Sequence, residues 1–239
     1  MAAQKKTPPK GGRSRTNSRP SNRKKSFSKR TPKGTPGQLR KASQRRNADA
    51  ARSGLTPHDC NKACFEHLTA QQTFGLTGFL ATSYVIPYPD ICGDLTDYYR
   101  VRYTEEVKGA FGAARKKPLR YSGPRDALPR FYFPIGVDWL ALAKNPSEPI
   151  IITEGEKKAV KACKSGLPCI SVPGVWAWRS KKKGIAAIPD FDLIEWAGRK
   201  VYLAFDSDLM TKPQVNAALD ALANELTMRG AKVVIKFLQ

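Results

Sequence analysis

From Ile150 onward, apolar residues fall into four short runs: "III" ending in Thr153, the run within "PCISVPG", "VYLAF" within "KVYLAFDSD", and the run within "AKVVIKFLQ". Each is continuous rather than alternating, the pattern of a strand covered on both faces. Between them lie helical patterns. Glu156 to Ser165 places Ala159, Val160 and Cys163 on one face and is closed by Gly166; "DFDLIEWAG" and the long amphipathic "PQVNAALDALANELTMRG" follow. Strand and helix alternate with short Gly-containing connections, which predicts an α/β fold, a parallel sheet flanked by helices.

Upstream the pattern changes. Between Phe79 and Pro134, runs such as "TSYVIPYPD", "DYYRVRYTEE", "LRYSGP" and "RFYFPIG" are aromatic and β-branched and broken by Pro, Gly and Asp, which predicts a small antiparallel or irregular β-rich region. Before it, "SGLTPHDCNKACFEHLTA" predicts a short amphipathic helix, with Thr56 as N-cap, Pro57 at the first helical position, and Cys60, Ala63, Cys64 and Leu68 at helical spacing. Residues 1–53 have Phe27 as their only aromatic residue and are rich in Lys, Arg, Ser, Pro, Gly and Thr, the composition of a disordered tail. The expected organisation is therefore a basic tail (1–53), a small helix plus β-rich α+β region (54–148) and the α/β domain (149–239), with "AKNPSEP" as the connection.

Charge sharpens this division. The net charge is +22, and residues 1–52 hold 17 Lys and Arg against a single acid, Asp49. A tail of that kind is attracted to polyanions, of which DNA and RNA are the commonest; its alternative is a solubilising extension. No run of about 18 apolar residues and no signal-peptide pattern is present, so no membrane association is expected and the cytoplasm is the default compartment. Five cysteines, an odd and sparse set, suit reduced thiols. His58, Cys60, Cys64 and His67 are potential zinc ligands, but on one continuous helix they point in different directions, so no zinc is expected.

The candidate chemistry sits at strand ends. Ligands of a parallel α/β sheet collect beyond the carboxyl ends of its strands, where Glu154 follows the first strand and Asp206 and Asp208 the third. Three converging carboxylates call for a cation, and the hard divalent ion suited to oxygen ligands and phosphates is Mg²⁺, with Mn²⁺ as its substitute; the alternative is that these acids cap helices. Lys157 and Lys158, at a predicted helix start, meet a phosphate or are solvated. Arg100, Arg102 and Arg120, set among tyrosines, bind nucleic acid or pack in the sheet. Gly155 and Gly174 are places where backbone can approach a ligand closely, the alternative for Gly174 being a turn glycine. Glu156 has no evident partner and reads as a first-turn acid favouring the helix N-terminus.

Taken together, "IIITEGEKKA" and "VYLAFDSD" resemble the two motifs of the Toprim domain of primases, topoisomerases and several nucleases. With "SVPGVWAW" and the preceding "RFYFP", the chain from Leu55 to Gln239 looks most like the uncharacterised Toprim-like domain of plasmid and phage replication proteins. The resemblance implies that Glu154 is the general acid or base, that Asp206 and Asp208 bind Mg²⁺, and that the activity is primase-type nucleotidyl or phosphoryl transfer on DNA or RNA, with nucleotides as substrates and a helicase as a possible partner. Its alternatives are a catalytically idle binding and helicase-recruiting module, or an Mg²⁺-dependent nuclease. The chain stops on its fourth strand, where related domains continue to a further acidic segment, and so reads as a truncated or minimal version. It has no P-loop pattern and no zinc module, so complete primase activity is not expected of it alone.

Overall fold

The computed structural model describes residues 34–107, 118–180, 183–206 and 213–238. It opens with helix α1 (Pro36–Ala51), so the expectation of a disordered tail reaching residue 53 is corrected from Gly34 onward. The helix starts at a capping box: the Thr35 hydroxyl accepts from Gln38 N at 3.3 Å, and Gln38 Oε1 accepts from Thr35 N at 2.8 Å. It has no apolar stripe, and its buried residues are Ala42, Arg46, Asp49 and Ala50. Tertiary bonds hold it instead, among them Arg46 Nη1 donating to the Phe65 carbonyl at 2.7 Å.

Helix α2 (Pro57–Lys62) is capped by Thr56 as expected, but does not continue to Leu68. Cys64 adopts φ +58°, which breaks the helix, and Glu66–Leu68 form strand β1. Helix α3 (Ala70–Thr77) then leads to β2 (Ser83–Pro89), β3 (Leu95–Tyr103) and β4 (Tyr121–Ser122), which with β1 make an antiparallel sheet in the order β1-β2-β3-β4. The β-rich region expected between Phe79 and Pro134 is this sheet. Tyr84 pairs with Arg102 and Ile86 with Arg100, so these four side chains lie on one face. Val85, Val101 and Tyr103 lie on the other, packed with Leu68 and Ala81.

After α4 (Trp139–Lys144) come β5 (Ile150–Glu154), α5 (Glu156–Lys164), β6 (Cys169–Val172), β7 (Lys200–Asp206), α6 (Pro213–Met228) and β8 (Lys232–Leu238). The four strands pair in parallel in the order β6-β5-β7-β8, the sheet that the apolar runs predict. One face, with Ile150, Ile152, Ile170, Val172, Val201, Leu203 and Phe205, packs against Leu219, Leu222 and Leu226 of α6 and against Phe131, Phe133, Trp139, Trp178 and Phe191. Phe131, Phe133, Trp139 and Ala143, counted with the β-rich region on sequence grounds, thus belong to the core of the parallel sheet.

"DFDLIEWAG" is not a helix: only Pro189–Leu193 coil, as a 3-10 turn. Asp190 is drawn inward, where its carboxylate accepts Phe131 N at 2.6 Å, and Trp196 Nε1 donates to the Phe191 carbonyl. Arg199, fully buried, donates to the carbonyls of Leu142, Ala143, Glu148 and Glu195 and so fastens the α4–β5 connection to the sheet. On the opposite face of the parallel sheet, α5 shares a core with Tyr84, Ile86, Tyr88 and Tyr132. That shared core joins the two sheets and sets the start of α5 against the arginine-bearing face of β3. Among the described residues no helix is long and apolar enough to cross a membrane.

Candidate functional site

Strand β5 ends at Glu154 and α5 begins at Glu156, so one residue, Gly155, makes the turn. Its φ of +93° is open to glycine and strained for other residues. A Cβ there would meet no atom within 4 Å, so the glycine serves the backbone conformation. Gly174 has no such φ; its carbonyl accepts Ala177 N at 2.8 Å in the turn after β6. Strand β7 lies beside β5, with Thr153 paired to Ala204. Glu154 and Asp206 therefore end neighbouring strands at one edge of the sheet, one residue out of step across a spacing of about 4.8 Å. Asp208 lies outside the described residues, as do Arg115, Lys116, Lys117 and the tail before Gly34. Among the described residues no three His, Cys, Asp or Glu side chains gather as a metal site.

The basic residues converge more fully. Arg100, Arg102, Arg120, Lys157 and Lys158, together with Glu154 and Gly155, line one cleft of about 420 Å³, completed by Ser53, Tyr121 and Pro173. Two elements place the cations: β3 and the approach to β4 carry the arginines, and the first turn of α5 carries the lysines. Tyr121 lies beneath both arginines, with the Arg100 guanidinium 4.3 Å and the Arg102 guanidinium 4.9 Å from its ring centre. Its ring is thereby occupied, and the cleft offers N–H donors rather than a stacking platform. Of the two nearby tryptophans, Trp178 is buried against Phe191, and Trp176 is exposed with Arg179 over its ring at 4.0 Å.

Two buried carboxylates behind the cleft hold three of these cations, Arg100, Arg102 and Lys157. Glu156, expected to be a first-turn acid without a partner, does sit in the first turn of α5 but is fully buried. Its Oε1 accepts from the Tyr88 hydroxyl at 2.5 Å and from Arg100 Nη1 at 2.8 Å. The other is Asp49, at the carboxyl end of α1. Its Oδ1 accepts from Arg102 Nη2 at 2.8 Å; its Oδ2 accepts from Lys157 Nζ at 2.7 Å, the Tyr84 hydroxyl at 2.7 Å and Arg102 Nε at 3.3 Å. Burial opposes ionisation of Asp49, but the bonds from Arg102, Lys157 and Tyr84 outweigh it and hold the carboxyl well below the usual carboxylate range. Burial likewise opposes the charge of Arg100, and the neighbouring Glu156 charge overcomes it and raises the guanidinium pKa. Tyr121 is pushed up to about 12, by burial first and by Glu156 next.

Asp49, Glu156, Tyr84 and Tyr88 were not among the expected site residues. A signal for Asp49 was available, since it is the single acid in a strongly basic segment. The alternation in "YRVRY" also puts Arg100 and Arg102 on one strand face, where buried arginines require anionic partners. A second, smaller cavity of about 180 Å³, lined by residues including Asp59, Lys62, Cys163 and Lys164, holds none of the expected site residues.

Fold and site thus define a mixed α/β protein with a cation-lined cleft at the carboxyl edge of its parallel sheet. A family described as a domain of unknown function, DUF3854, matches residues 138–239, which take in the parallel sheet, Glu154, Lys157, Lys158 and Asp206. Asp49, Arg100, Arg102 and Arg120 precede that match. The chain is also similar to an uncharacterized protein of Picosynechococcus sp. (strain PCC 7002), 29% identical over 153 residues, covering 50% of this chain and 15% of that one. The region of similarity is therefore a small part of that relative's length.

Proposed function

We propose that this chain is a Toprim-like nucleic-acid domain that takes phosphate groups of DNA, RNA or a nucleotide into the cleft between its two sheets. The chemistry would be primase-type phosphoryl transfer in the replication of a plasmid or phage-like element. The observation that carries the reading is the convergence of Arg100, Arg102, Arg120, Lys157 and Lys158 on Glu154 in one cleft at the end of β5. The arginines offer forked donors to phosphate oxygens and the lysines add point charges. Glu154, at the cleft wall, takes the proton of an attacking hydroxyl or returns one to a leaving group. Oxygen ligands at strand ends suit a hard divalent cation, and Glu154, Asp206 and Asp208 would hold Mg²⁺, or Mn²⁺ in its place, to orient and polarise the phosphate.

The test is Mg²⁺-dependent nucleotide incorporation on a primed or unprimed template, with strand cleavage measured in parallel. Glu154→Gln and Asp206→Asn each abolish turnover on this reading, and activity unchanged in both sinks it. Cleavage in place of incorporation assigns the nuclease. The lining itself, five cations to one carboxylate, favours a second reading: a binding module that docks nucleic acid and recruits a helicase without chemistry. It predicts salt-sensitive binding that persists when Glu154, Asp206 and Asp208 are all neutralised.

A further inference from the structure

We propose that Asp49 is a positioning residue of the cleft, which fixes Lys157 and Arg102 in the directions from which they meet a phosphate; the inference rests on the reading of the cleft as a phosphate site. Three separate elements meet at this carboxylate: α1 supplies it, β3 supplies Arg102 and α5 supplies Lys157. The Asp49 side chain is 8% exposed and does not front the cleft, whereas both cations do. Of its four bonds three fall on Oδ2 and one on Oδ1, and all come from protein donors rather than from the cleft.

What remains free on the cations is directed by what Asp49 binds. Lys157 has three N–H groups and gives two, to Asp49 Oδ2 and to the Asp49 carbonyl at 3.1 Å. Arg102 has five and gives two, the one on Nε and one of the pair on Nη2, to the carboxylate. The donors left over, one on Lys157 and three on Arg102, belong to side chains anchored on their far side and open to the cleft. A long side chain held in this way loses less freedom when a ligand arrives, which is the advantage of a preorganised site. By this account, α1 is part of the site although it precedes the segment matched by the family.

The inference turns on the sign of an effect. Asp49→Asn raises the net charge by one, and if Asp49 merely dilutes the positive field of the cleft, an anion binds the variant more tightly. If Asp49 positions the cations, the variant binds more weakly, because the Asn amide turns donors toward Lys157 or Arg102 and releases them. The measurement is calorimetric titration of the full chain with inorganic tripolyphosphate at fixed salt. The double variant Arg120→Ala/Lys158→Ala gives the background of the basic tail. Asp190→Asn serves as the control for general loss of stability, since Asp190 is comparably buried but bonds Arg130 and Phe131 away from the cleft.

Asp49→Asn is expected to bind roughly tenfold more weakly, the cost of misplacing a charge-assisted bond, with Asp190→Asn close to the parent chain. Unchanged or tighter binding in Asp49→Asn, with binding lost in the double variant, overturns the positioning role and leaves the phosphate site standing. Unchanged binding in the double variant overturns the phosphate site and the inference with it. Should Asp49→Asn fail to fold, Asp49→Glu keeps the charge but shifts the carboxylate by one methylene. It must also weaken binding, and affinity equal to the parent's overturns the role.

Discussion

The two sheets of this protein differ in what they bury beside their apolar cores. The parallel sheet buries a face made wholly of Ile, Val, Leu and Phe against α6 and a cluster of aromatic rings. The inward face of the antiparallel sheet shares an apolar core with α5 but also carries the polar groups of Tyr84, Tyr88, Arg100 and Arg102, which Asp49 and Glu156 arrive from two helices to match. Apolar burial is cheap to arrange, and each large aliphatic side chain contributes about 1.5–3 kcal/mol. Buried ion pairs have to recover several kcal/mol of desolvation per ion and are often no more stabilising than apolar residues of the same size. A network of this cost lying directly behind the cleft is better explained by what it does to Arg100, Arg102 and Lys157 than by stability. The lesson is that one sheet makes the fold and the other orients the site.

The largest effect should come from breaking the polar side of that contrast. Glu156→Ala leaves Arg100 and Tyr88 without their shared acceptor in a buried place, and is expected to cost about 3–5 kcal/mol. Leu203→Ala, in the apolar face, is expected to cost somewhat less, about 3 kcal/mol for a buried Leu whose cavity is largely filled by collapse of the surrounding side chains. Urea unfolding of the two variants checks both numbers. Anisotropy with a labelled oligonucleotide then separates the sheets further: the folded Leu203→Ala protein should bind as the parent does, and Glu156→Ala should not. Equal affinity in both would remove the distinction between a fold-making and a site-orienting sheet.

The same contrast explains what could be read from the residues alone. The parallel sheet was legible because each strand is a continuous apolar run, a local property. Gly155 was legible as a strand-to-helix junction, and Lys157, Lys158, Arg100, Arg102 and Arg120, named individually, share one cleft. Helix α1 was not legible from apolar periodicity because it has none, although Thr35, Pro36 and Gln38 spell a capping box. Cys64 and Asp190 defeat the helical readings around them through a left-handed turn and an inward hydrogen bond, both set by tertiary context. Glu156 is the first-turn acid that was expected, but its partners, Tyr88 and Arg100, were missed because they lie 68 and 56 residues away, and no local pattern reports such pairing.

A smaller effect follows from pH. The folded-state pKa of Asp49 is lowered from its ordinary value of 3.8, so its contribution is fully present above that value and is lost as the pH falls below it. Asp59, held by Lys164 and Thr56, is lowered in the same way and acts over the same range, so the parent's acid limb alone does not isolate Asp49. The difference in unfolding free energy between the parent and Asp49→Asn does. It should be on the order of 2 kcal/mol near neutrality and should shrink as the pH is taken from roughly 5 toward 3. A difference that stays constant over that range would mean that the carboxylate of Asp49 does not carry its charge in the folded protein.

The smallest effect separates the two ends of α1. Thr35 caps the helix at its exposed start, and Asp49 binds the cleft cations at its finish, about fourteen residues or 21 Å away along the helix axis. Thr35→Ala removes the acceptor for Gln38 N and unties the reciprocal bond from Thr35 N, which should cost about 1 kcal/mol. Fraying of the first turn does not reach Asp49, because Arg46, buried and bonded to the Phe65 carbonyl, pins the helix between the two. Urea unfolding should therefore register the loss while oligonucleotide affinity stays that of the parent. If affinity falls together with stability, α1 responds as a single rigid lever, and Asp49 owes its position to the whole helix rather than to the bonds around its own carboxylate.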